Sequence, residues 1–130
     1  MIPGVTEEKD PFVRIKANSV DCYVYVTVEN NLVIGSDVVG ILNIDTAKWD
    51  EVATKGNKTL YRYVDTVKSS AADQTLPVFT TVTYDSAKIL KTNISSLGGK
   101  EIIVTAYAYQ TANVSIDAAN TAVKTLAGMN

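Results

Sequence analysis

The sequence predicts a single-domain, all-β protein, an antiparallel β-sandwich with one or two short helical insertions. The chain has 130 residues, which is the length of one domain. Several segments alternate between apolar and polar residues with the two-residue period of half-buried strands. Turn-rich joints separate these segments at the intervals typical of all-β sandwiches. We therefore treat residues 1–130 as one β-sandwich domain and residues 1–11 as an extended N-terminal arm.

The clearest strand runs through residues 21–28, where one cysteine and three valines alternate with two tyrosines and a threonine. The cysteine side is apolar throughout, so we expect Cys22 to be a core residue rather than a nucleophile. The same period predicts strands at 12–17, 59–67, 78–84 and 101–110. A continuous apolar run at 38–44 fits a sixth strand that is covered on both faces.

Helical spacing of apolar residues appears twice, at 86–97 and at 117–128. For the second helix, Ser115 or Asp117 is the expected N-cap and Gly128 the expected C-terminal stop. Its predicted apolar side consists of Ile116, Ala119, Val123 and Leu126.

Composition excludes several classes of function. The chain has no histidine and one cysteine, so Ser-His and Cys-His catalysis, a disulfide within the chain and paired-cysteine metal sites lack their residues. The carboxylates do not follow the spacing of a calcium loop. The net charge is −2 and the basic residues are scattered, which argues against nucleic-acid binding. We expect no enzyme activity, no cofactor, no metal and no membrane span.

Tyrosine placement is the unusual feature of the sequence. Six of the seven tyrosines form i, i+2 pairs on predicted strands, at 23/25, 61/63 and 107/109, so each pair shares one sheet face. Two explanations remain open. The pairs fix strand register across the sheet, or they form an aromatic surface through which copies of the chain associate.

A series of elements in fixed order resembles the camelysin/TasA family, in particular its clostridial members. These elements are Pro3-Gly4, Lys9-Asp10-Pro11, DCYVYVTVEN at 21–30, Trp49, YRYV at 61–64, DQTLPVFTTVTYD at 73–85 and TAYAYQ at 105–110. They cover nearly the whole chain. The family contains secreted surface and matrix proteins of Gram-positive bacteria that are exported through a SipW-type signal peptidase.

The resemblance implies a jelly-roll-like sandwich, secretion to the cell surface or beyond, and assembly into extracellular fibres of a biofilm matrix. Camelysin has also been classed as a metallopeptidase. We do not expect peptidase activity from this chain, because it has no histidine and no HExxH motif to bind a catalytic zinc ion. Two features depart from the family pattern. Nothing precedes Met1, so the signal peptide is expected to have been removed, and Ala122-Val123 replaces an Ala-Trp pair in the last helix.

The functional expectation is a structural subunit that forms a homopolymer, with other matrix components as further partners. The N-terminal arm is expected to add as a strand to the sheet of the next copy, since it contains Pro3, Gly4 and Pro11 and has no evident partner in its own chain. A free tail is the other interpretation of this arm. The expected self-assembly residues are Ile2, Val5, Phe12, Tyr23, Tyr25, Tyr107 and Tyr109. The alternatives to a fibre subunit are a monomeric secreted binding module and, third, a peptidase.

Overall fold

A computed structural model describes residues 6–34, 37–85 and 100–129. Every strand pairing in these residues is antiparallel, and one helix accompanies the strands, so the all-β class is confirmed. The elements in chain order are β1 (Thr6–Glu8), β2 (Phe12–Ile15), β3 (Cys22–Asn30), β4 (Val33–Ile34), β5 (Asp37–Val38), β6 (Gly40–Leu42), β7 (Trp49–Lys55), β8 (Lys58–Tyr63), β9 (Gln74–Pro77), β10 (Thr81–Tyr84), β11 (Ile102–Gln110) and α1 (Ile116–Leu126).

The largest sheet has four strands in the order β11-β3-β8-β7. Its longest pairing joins β3 and β11 without interruption, from Ile102 opposite Asn30 to Gln110 opposite Cys22. Strand β3 is therefore enclosed between two partners, while β11 and β7 form the two edges among the described strands. The predicted strands at 21–28 and 101–110 are confirmed within one or two residues at each end.

The remaining strands form three smaller sheets, β1-β10-β6, β2-β9 and β4-β5. Strand β1 pairs with β10 of its own chain, from Thr6 opposite Thr83 to Glu8 opposite Thr81. The expectation that the segment before residue 12 has no partner within the chain is therefore wrong for residues 6–8. The donor-strand expectation therefore stays a prediction for residues 1–5, which lie outside the described residues.

Several predicted strand limits were also wrong. The strand predicted at 78–84 begins at Thr81, because the Asn43 carboxamide accepts hydrogen bonds from the backbone N–H groups of Thr80 and Thr81 at 2.8 and 2.9 Å. The run at 38–44 is interrupted at Val39, whose N–H donates to the Leu32 carbonyl. The strand predicted at 59–67 ends at Tyr63, and strands β7 and β9 were not predicted.

The two faces of the four-stranded sheet belong to different hydrophobic clusters. The face of β3 that carries Cys22 and its three valines packs with buried residues of β2, β9 and β10, such as Val13, Leu76 and Val82. The opposite face, which carries Tyr23 and Tyr25, packs with Ala119, Val123 and other residues of the α1 region. The predicted assignment of Cys22 to the core is confirmed.

Helix α1 follows the predicted capping pattern. Ser115 is the N-cap, and its hydroxyl accepts a hydrogen bond from the Ala118 N–H at 3.2 Å. Of the predicted apolar side, Ala119 and Val123 are buried, whereas Ile116 and Leu126 are exposed, so the helix contacts the sheet through its centre. The helix predicted at 86–97 lies outside the described residues.

Candidate functional site

The four tyrosines named as assembly residues all lie on the face of the sheet that helix α1 covers. Tyr23 and Tyr25 of β3 are buried, and Tyr107 and Tyr109 of β11 are half-buried beside them. The register places Tyr107 opposite Tyr25 and Tyr109 opposite Tyr23. In the folded chain, Tyr23 and Tyr25 therefore contact α1 rather than solvent, and their role in assembly stays a prediction.

The hydroxyl groups of the two buried tyrosines hold the helix segment. The Tyr23 hydroxyl donates to the Val114 carbonyl at 2.9 Å, and the Tyr25 hydroxyl donates to the Asn120 side-chain oxygen at 2.6 Å. Desolvation raises the pKa of Tyr25 to about 12, with Arg62 opposing the shift and Tyr23 adding to it. Lys58 of β8 donates to the Ala127 carbonyl at 2.9 Å and so fixes the other end of the helix.

The other predicted assembly residues lie at the N-terminal end of the chain. Ile2 and Val5 are outside the described residues. Phe12 is 52% exposed, and the Arg14 guanidinium carbon lies 6.0 Å from the centre of its ring. The structure therefore does not bring Phe12 together with the tyrosines, which pack with the α1 region.

The outer side of β11 is an open edge among the described strands. The Asn31 N–H donates to the Glu101 carbonyl and the Thr111 N–H donates to the Asp21 carbonyl, one bond at each end of the β3–β11 pairing. Because hydrogen-bonded pairs alternate in an antiparallel ladder, the odd-numbered residues of β11 bond to β3. The even-numbered residues therefore direct their backbone N–H and C=O groups away from β3; they are Ile102, Val104, Ala106, Ala108 and Gln110.

This edge lacks the features that normally prevent sheets from joining. Strand β11 contains no charged residue, no proline and no glycine, and Ile103 is 41% exposed. At the opposite edge of the same sheet, β7 carries Asp50, Glu51 and Lys55 and has a register shift between Glu51 and Ala53. Charges and bulges protect edges against pairing, so β7 is protected and β11 is not.

Two open grooves flank the strand. A groove of about 450 Å³ meets its first half. Its apolar and aromatic lining comes from Leu32, Phe79, Val82, Tyr84, Ile102 and Val104, and charged residues at Lys9, Asp10, Lys100 and Glu101 complete it. A second groove of about 330 Å³ meets its last residues and combines Ile15, Cys22, Ala108 and Gln110 with the basic residues Arg14 and Lys16. Among the described residues, the side of the molecule beside β11 therefore combines backbone groups that have no strand partner with a partly apolar surface.

Among the described residues, Cys22 and Asp50 both have structural surroundings. No group of three or more Cys, Asp or Glu residues that could hold a metal ion occurs in the described ranges. Burial raises the pKa of the Cys22 thiol, with Asp21 as the second cause, which disfavours the reactive thiolate. Asp50 forms an ion pair with Arg62 at 3.2 Å, so this carboxylate has a structural partner.

No protein-family model, curated protein or solved structure matches the chain. In the part of the chain that the structure describes, no helix is long and apolar enough to cross a membrane.

Two features of this region were missed from the sequence. The first is β11 as an unprotected edge, although the absence of charge over residues 102–110 could have indicated it. The second is Asn30, a buried amide that donates to the Gly40 carbonyl at 2.8 Å and accepts from the Leu32 N–H at 3.1 Å. No sequence signal distinguishes Asn30 from the exposed asparagines.

Proposed function

We propose that this protein is a structural subunit of an extracellular surface or biofilm-matrix fibre, in which copies join by strand addition. The observation that carries the proposal is the open edge that β11 forms among the described strands, with outward backbone groups, no charge in the strand and partly apolar grooves beside it. Such an edge gains both hydrogen bonds and apolar burial when a strand from another chain pairs with it. The proposed role requires no catalytic activity, cofactor or metal.

The family resemblance supports the cellular setting of this proposal. The resemblance implies a chain secreted from the cell as a homopolymer, with other matrix components as partners. We further propose that the strands form a jelly-roll-like β-sandwich. Its support is the main hydrophobic cluster, which draws buried residues from the four-stranded sheet and from β2, β9 and β10.

The sequence-predicted donor is the N-terminal segment of a neighbouring copy, now limited to residues 1–5 because β1 pairs with β10. Ile2 and Val5 supply its apolar anchors. In this proposal Tyr107 and Tyr109 contribute directly, since they lie on the edge strand, while Tyr23 and Tyr25 contribute by holding α1 against the sheet. Phe12 contributes through its exposed ring.

Negative-stain electron microscopy and sedimentation test the fibre proposal. The unaltered chain should form filaments, and a chain lacking residues 1–5 should stay folded but lose them. The double substitution Ile2→Ser and Val5→Ser should act in the same direction. Ile41→Ser, which alters an exposed isoleucine of β6, is the matched control and should leave the filaments intact.

The runner-up function is a monomeric secreted binding module that accepts a ligand in the groove beside β11. This candidate is favoured by the apolar lining of the 450 Å³ groove. A chain that remains monomeric at every concentration and forms no filaments would contradict the fibre proposal and favour the binding module.

A further inference from the structure

We infer that β11 pairs with β11 of a second copy, antiparallel and about a two-fold axis, so that two four-stranded sheets become one continuous sheet. This inference rests on the proposed function, in which copies join by strand addition, and it assigns the β11 edge to β11 of a second copy rather than to residues 1–5. Its occupant is a second copy of this chain.

The backbone pattern of β11 is complementary to itself. Its outward residues occur at every second position from Ile102 to Gln110, symmetrically about Ala106. In an antiparallel pair, two residues with outward groups exchange both hydrogen bonds when they lie opposite each other. Full overlap places Ala106 opposite Ala106 of the second copy and Val104 opposite Ala108, so every outward residue of the strand gains a partner.

Side chains agree with this register on both faces. On the groove face, the larger residues Ile102 and Val104 lie opposite Gln110 and the small Ala108 of the second copy. On the helix face, the exposed Ile103 lies opposite Tyr109, and Thr105 lies opposite Tyr107. Apolar and aromatic cross-strand pairs of this kind stabilise sheets, and the strand has no charge that would meet its own copy.

The N-terminal segment is a poorer match for the same edge. Residues 1–5 span fewer positions than the nine residues of β11, and Pro3 lacks the N–H group that a ladder requires. A two-fold contact closes on itself, so fibre growth needs a second contact. In the proposed function, residues 1–5 supply that second contact between pairs.

A charge-swap experiment on the full-length chain tests the inference. Ala106 is exposed and is the position that meets itself across the axis. Ala106→Lys and Ala106→Glu should each abolish the dimer in analytical ultracentrifugation, because like charges then lie directly opposite each other. An equal mixture of the two variants should restore a dimer that contains one copy of each.

The matched control is Thr54→Lys, which adds the same charge to the protected edge strand β7 and should leave the dimer unchanged. Hydrogen exchange on the unaltered chain is a second measurement that does not depend on how the variants fold. The amides of Ala106 and Ala108 should become protected as protein concentration rises, while the amide of Thr105, bonded within the chain, should not depend on concentration.

Each result has one interpretation. A dimer that survives Ala106→Lys, or a mixture that fails to restore the dimer, overturns the two-fold register. Loss of the dimer on deletion of residues 1–5, with Ala106→Lys still dimeric, assigns the edge to the N-terminal segment and also overturns it. In either case, filaments formed by the unaltered chain would still support the fibre proposal. The two proposals therefore fail separately.

Discussion

Asn30 shows how strongly one buried polar side chain can tie separate segments together. Its carboxamide satisfies the Gly40 carbonyl and the Leu32 N–H inside the core. Asn30→Ala leaves both backbone groups without these partners, so we expect the free energy of unfolding to fall by about 2 kcal/mol in urea titration. Asn43→Ala removes a comparable set of bonds at an exposed site, where water replaces them, and should cost less than about 1 kcal/mol. Equal losses would contradict the argument from burial.

Tyr25 makes a prediction about alkaline pH. Burial raises its pKa from 10.0 to about 12, so the unfolded chain loses this proton at lower pH than the folded chain does. The stability that the neutral hydroxyl provides is complete below pH 10 and is lost as the pH rises from 10 to about 12. Urea midpoints measured over this range should fall less steeply in Tyr25→Phe than in the unaltered chain. Some slope should remain, since burial also raises the pKa of Tyr61. Identical slopes would count against this environment for Tyr25.

At the scale of the element, α1 depends on its cap as well as on its buried residues. The Ser115 hydroxyl accepts a hydrogen bond from the Ala118 N–H, and Asp117 adds negative charge to the first turn. We expect Ser115→Ala to lower the free energy of unfolding by about 1 kcal/mol, and Ser115→Gly to lower it by only a few tenths of a kcal/mol. Thermal denaturation followed by circular dichroism provides the comparison. Neither variant keeps the cap bond, so a glycine variant as unstable as the alanine variant would contradict the expectation that water reaches the freed N–H when the side chain is absent.

The two edges of the four-stranded sheet differ at this same scale. Strand β7 carries charge and an irregular register, whereas β11 pairs evenly with β3 along its whole length and carries no charge. An even, uncharged edge is available to another strand, and a charged and irregular one is not. This difference between edges, rather than any single residue, supports the assembly proposals.

At the scale of the whole molecule, Cys22 reports on opening of the fold. Cys22 is 4% exposed, and burial raises the pKa of its thiol, so the native chain should present little reactive thiolate. Labelling in native buffer should be roughly 10³-fold slower than in denaturant, because it requires unfolding of a core strand. Val20→Cys in a Cys22→Ser background is the control, since Val20 is exposed two positions away and its cysteine should react rapidly. Equal native and denatured rates for Cys22 would mean that the two faces of β3 are assigned the wrong way round.

Local sequence patterns predicted the features of the fold that depend on neighbouring residues in the chain, and missed those that depend on distant ones. Alternation in β3 and β11 depends on neighbouring residues in the chain, so it identified both strands and assigned Cys22 to the core. The limits of β10 depend instead on Asn43, a side chain that is distant in sequence. Strand β1 likewise depends on its partner β10, which no local pattern reveals.

The sequence by itself determined the all-β class, the two faces of β3 and the absence of histidine, and it limited the cap of α1 to Ser115 or Asp117. These properties follow from residue types and from their spacing along one strand or helix. Only the tertiary structure decided that Ser115 is the cap, that α1 covers the tyrosines, that residues 6–8 pair within the chain and that β11 is an edge among the described strands. The physical reason is that coverage and strand order depend on contacts between segments far apart in the chain. A period of two residues shows which way a side chain points, but not which element lies opposite it.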